Sequence, residues 1–373
     1  MWIQLKDTAV DWLGLSVVVR WLLGWCLAWH LLALPKGALQ RKPSVSVLIP
    51  ARNEEATLHH LLQGLGHQTL KPFEVIVIDD HSSDRTAAIA LASGQDLPLL
   101  VIQPPPLPPG WCGKTWALHN GVRRSSGEVL VFLDADTEPG PSLLESLVAE
   151  QQRLGGLVSV QPYHRTECLY EQLSLLFNLV GLMAVPLGDR CGVAFGPAMA
   201  TSREHYNRSG GHAAVANKVV EDWFLAHCYE QAGLAVSAFI GAGQIAYRMY
   251  PGGLRDLVIG FDKNFATAAG EVRWPWMLAV VLWLSGLFWV AWSLPASLLG
   301  WPMVGEPQPL LQLAFYGAYA LQLMVITQRV GRFRWSPLIF PIPVLFFLGV
   351  FVMAIVNLER GSVQWKGRSV STR

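Results

Sequence analysis

Short apolar runs that stop abruptly on polar residues alternate along this chain with stretches of helical spacing. VSVLI (45–49), EVIVI (74–78) and VLVFL (129–133) predict strands, each followed by carboxylates or by Pro, Arg and Asn. Helical spacing predicts helices over 53–66, 84–93 and 114–125. The run QPPPLPPG (103–110) is a loop, because proline neither donates inside a helix nor sits in a central strand. Strand and helix in alternation predict an α/β domain with a mostly parallel, Rossmann-like sheet, whose ligands bind at the carboxyl ends of its strands.

Longer apolar runs flank that pattern. Residues 12–34 are long enough to span a bilayer, although Arg20 inside the run costs about 2.5–3.5 kcal/mol at mid-membrane. The run is too long and too Trp-rich for a cleaved signal peptide. Lys36, Arg41 and Lys42 follow it directly and predict a cytoplasmic domain after it. Three further runs, 276–300, 310–328 and 337–357, predict a multi-pass membrane protein. The loop 301–309 has no Lys or Arg, whereas 329–336 carries Arg329, Arg332 and Arg334, the pattern of outside and inside loops. Three simple spans would put the tail outside. Its Arg360, Lys366, Arg368 and Arg373 against Glu359 argue for the cytoplasm, and Pro337, Pro341 and Pro343 offer a broken or re-entrant last run. Residues 170–187, apolar but interrupted by Asn178 and Gly181, read either as a helix lying in the bilayer surface or as a buried core helix. The expected division is an anchor over 1–36, a catalytic domain over 37–274 and a membrane region with a basic tail over 275–373.

Composition agrees with a mixed chain: 52% of residues are hydrophobic and 15% charged, with a mean hydropathy of +0.33. A net charge of +1 and the lack of any long basic run give no ground for a nucleic-acid partner. The five cysteines, Cys26, Cys112, Cys168, Cys191 and Cys228, have no Cys-x-x-Cys spacing and read as reduced thiols.

The candidate chemistry lies where the strands end. Asp134-Ala135-Asp136 closes the strand 129–133, and two carboxylates there can hold a divalent cation, Mg²⁺ or Mn²⁺, against a diphosphate. Metal coordination is assigned to Asp136, with Asp134 and Ala135 nearer the nucleotide sugar. Asp80, after the second strand, can accept the imide N–H of uracil. A helix cap for 84–93 is the plain alternative, open equally to Ser82 or Ser83. Pro50, Arg52 and Glu54 follow the first strand, where a nucleotide-facing loop belongs, though Glu54 also suits the first turn of a helix. Lys114, just after Gly113, can meet a phosphate together with the helix N-terminus, or be a surface lysine. Glu221 and Asp222 begin an amphipathic helix, a place the dipole favours for acids in any case; the functional reading makes Asp222 the general base and Glu221 its alternate. Arg248, Tyr250 and Lys263 are candidates for stabilising a leaving diphosphate or for meeting lipid headgroups.

The order IPARNEE, Asp-Asp-x-Ser-x-Asp, GKxxAL, DAD and ED resembles the inverting family-2 glycosyltransferases with a GT-A fold. LVSVQPYH (157–164), FGPAMATSREHYNRSGGH (195–212), YRMYPGGLRDLVIGFDKN (247–264) and VQWKGR (363–368) resemble the carotenoid-pathway branch of that family. The resemblance covers nearly the whole chain. It implies a UDP-sugar donor, with glucose as the expected sugar, a divalent cation, inversion at the anomeric carbon and a membrane-dissolved isoprenoid acceptor. Another membrane lipid, such as a ceramide, a hopanoid or a polyprenyl phosphate, is the alternative acceptor. Two departures stand out. His81 takes the place where the wider family commonly has Gly. The Gln-x-x-Arg-Trp motif of processive polysaccharide synthases is missing, its nearest string being Glu271-Val272-Arg273-Trp274, and this weakens a polymer-extruding reading.

Overall fold

The computed structural model describes residues 2–93, 97–218, 220–268, 273–301, 309–360, 362–365 and 368–371, with side chains omitted at 2–13, 263–268 and 358–371. Val219, Glu271, Val272, nearly all of the 301–309 loop and the charged side chains of the tail thus lie outside the described residues.

The chain forms two compact units: an α/β unit of residues 32–165 and 187–248, and a helical unit of residues 1–31, 166–186 and 249–373. After α1 (Trp2–Ala28), which belongs to the helical unit, the α/β unit opens with β1 (Val45–Ala51), α2 (Leu58–Gly66), β2 (Glu74–Asp79) and α3 (Thr86–Ser93). Next come β3 (Leu99–Ile102), α4 (Gly113–Arg124), β4 (Val129–Leu133) and β5 (Thr137–Pro139). α5 (Leu143–Leu154), β6 (Leu157–Gln161) and β7 (Tyr163–His164) lead into α6 (Leu175–Met183) of the helical unit. The chain returns through β8 (Ala198–Ser202), α7 (Arg203–Arg208), α8 (Gly211–Ala214), α9 (Glu221–Gln231), β9 (Val236–Ile240) and β10 (Ile245–Tyr247).

A seven-stranded sheet has the order β3-β2-β1-β4-β8-β6-β9, and β5, β10 and β7 make a small second sheet. Within the seven-stranded sheet neighbouring strands are parallel except that β8 runs antiparallel to both β4 and β6. β1, β4 and β9 are buried on both faces, which is why they read as apolar runs. On one face Val47 and Ile49 pack with Leu58, Leu61, Leu62 and Leu65 of α2; on the other, Leu48 and Phe132 pack with Leu118 of α4 and Leu225 of α9. The α2 leucines recur at the i, i+3, i+4, i+7 spacing of a one-faced helix. Truncating a leucine at such depth to alanine costs about 2–5 kcal/mol. Chain order reverses beside β1: β2 and β3 are laid down on one side and β4 on the other. The crevice at the carboxyl ends of β1 and β4 is therefore the topological switch point of the sheet.

The helical unit adds α10 (Leu254–Ala268), α11 (Trp274–Leu298), α12 (Pro309–Val330), α13 (Pro341–Arg360) and a hairpin of β11 (Ser362–Trp365) and β12 (Arg368–Ser371). Side chains tie α1, α11 and α12 together. Trp21 donates to the Ala318 carbonyl at 3.0 Å, Gln322 to the Trp21 carbonyl at 2.7 Å, and Trp283 to the Gln322 side chain at 3.0 Å. Gly286 permits this approach, because a Cβ there would stand 2.1 Å from the Tyr319 hydroxyl. Among the described residues, α11 and α12 are long and apolar enough to cross a membrane. The apolar parts described for α1 (14–28) and α13 (341–357) are shorter. The predicted runs 12–34 and 337–357 are thus cut down: α1 stops at Ala28, and turns occupy 336–340 before α13 opens on Pro341, a residue suited to a first helical position.

The contiguous division expected from the sequence is also revised, because residues 166–186 and α10 belong with the apolar helices. Seven of the nine residues of α6 are buried, and Phe177 stacks on Phe261 of α10 at 4.2 Å. That is the packing of a core helix of its unit, the second of the two readings of 170–187. Its apolar side chains go to all sides of the helix, and among the described residues it packs against α11, α12 and α13.

Candidate active site

Two loops at the switch point clasp each other. The backbone N–H of Asn53 donates to Ser82 Oγ at 3.0 Å, Glu54 N–H to Thr86 Oγ1 at 2.8 Å and Glu55 N–H to Asp84 Oδ2 at 3.1 Å. Asn53 is left-handed and 55–57 form a turn, so the helix predicted from 53 starts only at Leu58. Asn53 and His81 both take φ +54, the left-handed region. His81 thus fills the place of the family glycine without removing the turn. Asp84 caps α3, accepting the Thr86 N–H at 3.0 Å, so the capping alternative for Asp80 falls away. Asp80 is nearly buried and pairs with Arg52, whose guanidinium lies 3.2 Å from its carboxylate and 3.1 Å from its carbonyl. Pro50 sits near the end of β1, past the point where that strand pairs with β4.

Lys114 stands in the first turn of α4 and joins two carboxylates that are far apart in the chain. Its Nζ is 2.8 Å from Asp134 Oδ1 and 2.8 Å from Glu221 Oε1. Burial works against the ammonium, but the two acids outweigh it and hold the Lys114 pKa well above the ordinary lysine value. Burial opposes ionisation of Glu221 as well, and Lys114 wins again, holding Glu221 below the usual carboxylate range. Asp134 goes the other way: burial raises it more than Lys114 lowers it. Asp136 is pushed up to about 7, first by burial and then by the charges of Asp134 and Glu54. Asp222 is pushed up to about 6, first by burial and then by Glu221.

The structure therefore gathers Glu54, Lys114, Asp134, Asp136, Glu221 and Asp222 into one electrostatic group, with buried Ala135 inside the aspartate turn. Among the described residues no three or more His, Cys, Asp or Glu side chains form a closed metal cage. Carboxylates that raise one another are nonetheless short of positive charge. An open site offering one or two of them suits a Mg²⁺-type ion that takes its remaining ligands from phosphate and water, so the residues fit such a group at Asp136.

Sequence reasoning missed Gly196. Its N–H donates to Asp222 Oδ2 at 2.7 Å, and a Cβ at this position would come within 3.2 Å of both that oxygen and Lys114 Nζ. The following Pro197 carbonyl accepts the Asp134 N–H at 3.0 Å, so one loop fixes both acids. The run FGPAM carried this signal, but nothing in its spacing tells which side chain it serves. Arg248 follows β10, while Tyr250 belongs to the helical unit, where its carbonyl accepts from Tyr170 at 3.0 Å. The side chain of Lys263 lies outside the described ones.

Residues 46–187 match the family model of glycosyl transferase family 2. The chain is 33% identical over 342 residues to 4,4'-diaponeurosporenoate glycosyltransferase of Staphylococcus aureus, covering 88% of each sequence. Its fold is like that of the mannosyltransferase PcManGT from Pyrobaculum calidifontis, solved with GDP-Man and Mn²⁺, at a TM-score of 0.56 and 18% identity over 95% of this chain and 99% of that one. That likeness identifies the α/β architecture as a GT-A fold, and the sequence likeness carries the family: this chain belongs to glycosyltransferase family 2.

Proposed function

We propose that the chain is an inverting, membrane-bound glycosyltransferase that moves a sugar, assigned from the family resemblance as glucose, from a UDP-sugar to a carotenoid acid or hydroxylated carotenoid. The observation that carries the reading is the group of carboxylates around Lys114 at the switch point, with Asp136 beside it. The acceptor class rests on the relative whose name gives diaponeurosporenoate as its substrate.

Asp80 retains one carboxylate oxygen beyond its pairing with Arg52, and that oxygen accepts the uracil imide N–H. An ammonium has three N–H groups. Lys114 spends two on Asp134 and Glu221 and turns the third, with the N-terminus of α4, to the diphosphate. A divalent cation at Asp136, with Asp134 toward the ribose, supplies further charge neutralisation for the departing UDP when bound. Asp222, held by Gly196, accepts the acceptor's proton while the acceptor oxygen bonds to the anomeric carbon and the carbon–oxygen bond to UDP breaks. Lys36, Arg41 and Lys42 after α1 support a cytoplasmic position for the α/β unit, where UDP-sugars are available to it.

The test is product analysis. Membranes carrying the protein, supplied with UDP-glucose and either a carotenoid acid or a hydroxylated carotenoid, should yield the hexosyl product by mass spectrometry. Transfer to ceramide or polyprenyl phosphate instead, with neither carotenoid used, would replace the acceptor assigned here.

A further inference from the structure

His212 is a buried group that the mechanism above does not use. It lies on α8, which packs against both α4 and α9, the helices that carry Lys114 and Glu221. The Tyr206 hydroxyl oxygen accepts the backbone N–H of His212 at 2.9 Å and stands 2.9 Å from the ring Nδ1. Among the described residues Nδ1 is the acceptor within reach of that hydroxyl's single proton, so the hydroxyl is assigned as the donor to it. Burial keeps the ring neutral, pushing its pKa down to about 4. A neutral imidazole whose Nδ1 accepts must carry its proton on Nε2. Nε2 is buried and has no partner among the described residues.

The nearest use for this donor is Glu221. Glu221 opens α9, against which α8 packs, and its charge raises the His212 pKa against the larger effect of burial. The other charged groups acting on this pair are Lys114 and His119 from α4, Asp134 after β4, and Asp222 beside Glu221 on α9. Of these only Lys114 binds Glu221 directly, and it also holds Asp134. Once its third N–H meets a diphosphate, its charge is spread over three anions.

We propose that His212 is a positioning residue for the Glu221–Asp222 pair. With its tautomer fixed by Tyr206, its free Nε2–H turns a positive pole to the buried Glu221 carboxylate and keeps it ionised while Lys114 serves the diphosphate. An ionised Glu221 in turn raises the basicity of Asp222. The inference rests on the roles given above to Lys114 and Asp222.

The experiment compares full-length wild type, His212→Phe, His212→Gln and Asp222→Asn by kcat against pH, with saturating UDP-sugar and a hydroxylated acceptor. Phenylalanine keeps the ring and removes the donor, whereas glutamine keeps an N–H near the Nε2 position. His212→Phe should move the acid limb to lower pH, because a Glu221 that protonates more readily no longer lifts Asp222. Its plateau should fall a few-fold as well, because a less basic Asp222 takes the acceptor's proton less readily. His212→Gln should restore limb and plateau. An unmoved limb in His212→Phe, or a glutamine variant that behaves like phenylalanine, overturns the proposal. Selective ¹⁵N-histidine spectra, assigned by loss of signal in His212→Gln, read the tautomer without any activity. An Nδ1–H tautomer overturns the proposal whatever the kinetics. An active Asp222→Asn variant overturns the base assignment instead, and the spectra still decide the tautomer.

Discussion

Replacing Lys114 with methionine removes the charge that joins Asp134 and Glu221 while keeping most of the side chain's volume. Breaking a fully buried ion pair costs about 3–5 kcal/mol, chiefly because a charge is left stranded. Here the side chain of Glu221 is 6% exposed, that of Lys114 32% and that of Asp134 27%. Water therefore screens part of each pair, which brings the Glu221 arm to roughly half the buried figure and the Asp134 arm to about 0.5–1 kcal/mol. The expected loss is about 2–3 kcal/mol at pH 7.5, or about 4–12 °C in Tm for a unit of this size. The sign with pH follows from the direction of the Glu221 shift. Its pKa is held low in the wild type, so its contribution to stability is full above the unfolded carboxylate value and fades as pH falls through the folded one. In the variant the stranded acids instead take up protons at higher pH and so relieve their own cost. The gap between wild type and variant should narrow by at least half between pH 7.5 and pH 5. Thermal unfolding followed by tryptophan fluorescence at both pH values measures it. An equal gap at the two pH values would show that the lysine stem, and not its charge, supports the site, and would refute the reasoning.

Asp136→Asn, or chelation of the wild type, should abolish transfer, and undiminished turnover without metal would remove the cation from Asp136. Because Asp136 and Asp222 are raised from the ordinary aspartate value of 3.8 to about 7 and about 6, their cost to stability is full above those values and shrinks as pH falls from them toward the unfolded value. Metal-free protein should therefore lose Tm from pH 5.5 to 7.5, and Mn²⁺ should restore more of it at pH 7.5; a Tm that rises over that range in the metal-free protein contradicts the assignment. Asp222→Asn should lower turnover about 10²-fold or more with a hydroxylated acceptor and far less with a carotenoid acid, which is already ionised and needs no base. Collapse in Glu221→Gln with near-normal Asp222→Asn would move the base to Glu221. Asp80→Asn should weaken UDP binding by about 1.5–3 kcal/mol in calorimetry, the worth of a hydrogen bond to a charged group, and unchanged affinity would free Asp80 of that role.

The strands β1, β2 and β4 and the carboxylates at their ends are legible in the sequence, since strands buried on both faces must be apolar without interruption and must stop where the chain meets water. Neither β3, a four-residue run that is only partly buried, nor β8 was legible in this way. A short apolar run states that it is buried, but not its neighbour or its direction, so nothing local marks β8 as the antiparallel strand or β3 as an edge. Family-like runs named the glycosyltransferase chemistry, yet they did not show that Lys114 bridges Asp134 to Glu221. That contact depends on α4 and α9 sharing one face of the sheet. Gly196 and His212 escaped for a similar reason: a glycine's value lies in what a Cβ would strike, and a histidine's in which ring nitrogen is already taken. The apolar runs at 170–187 and 337–357 showed that these segments avoid water. Only the packing of α6 among the other helices, and the turns that delay α13 to Pro341, decided which apolar partners they found and how long the helices are. Hydrophobic pattern is a property of single residues and their period, whereas charge pairing, register and partner choice belong to pairs that the chain brings together only on folding.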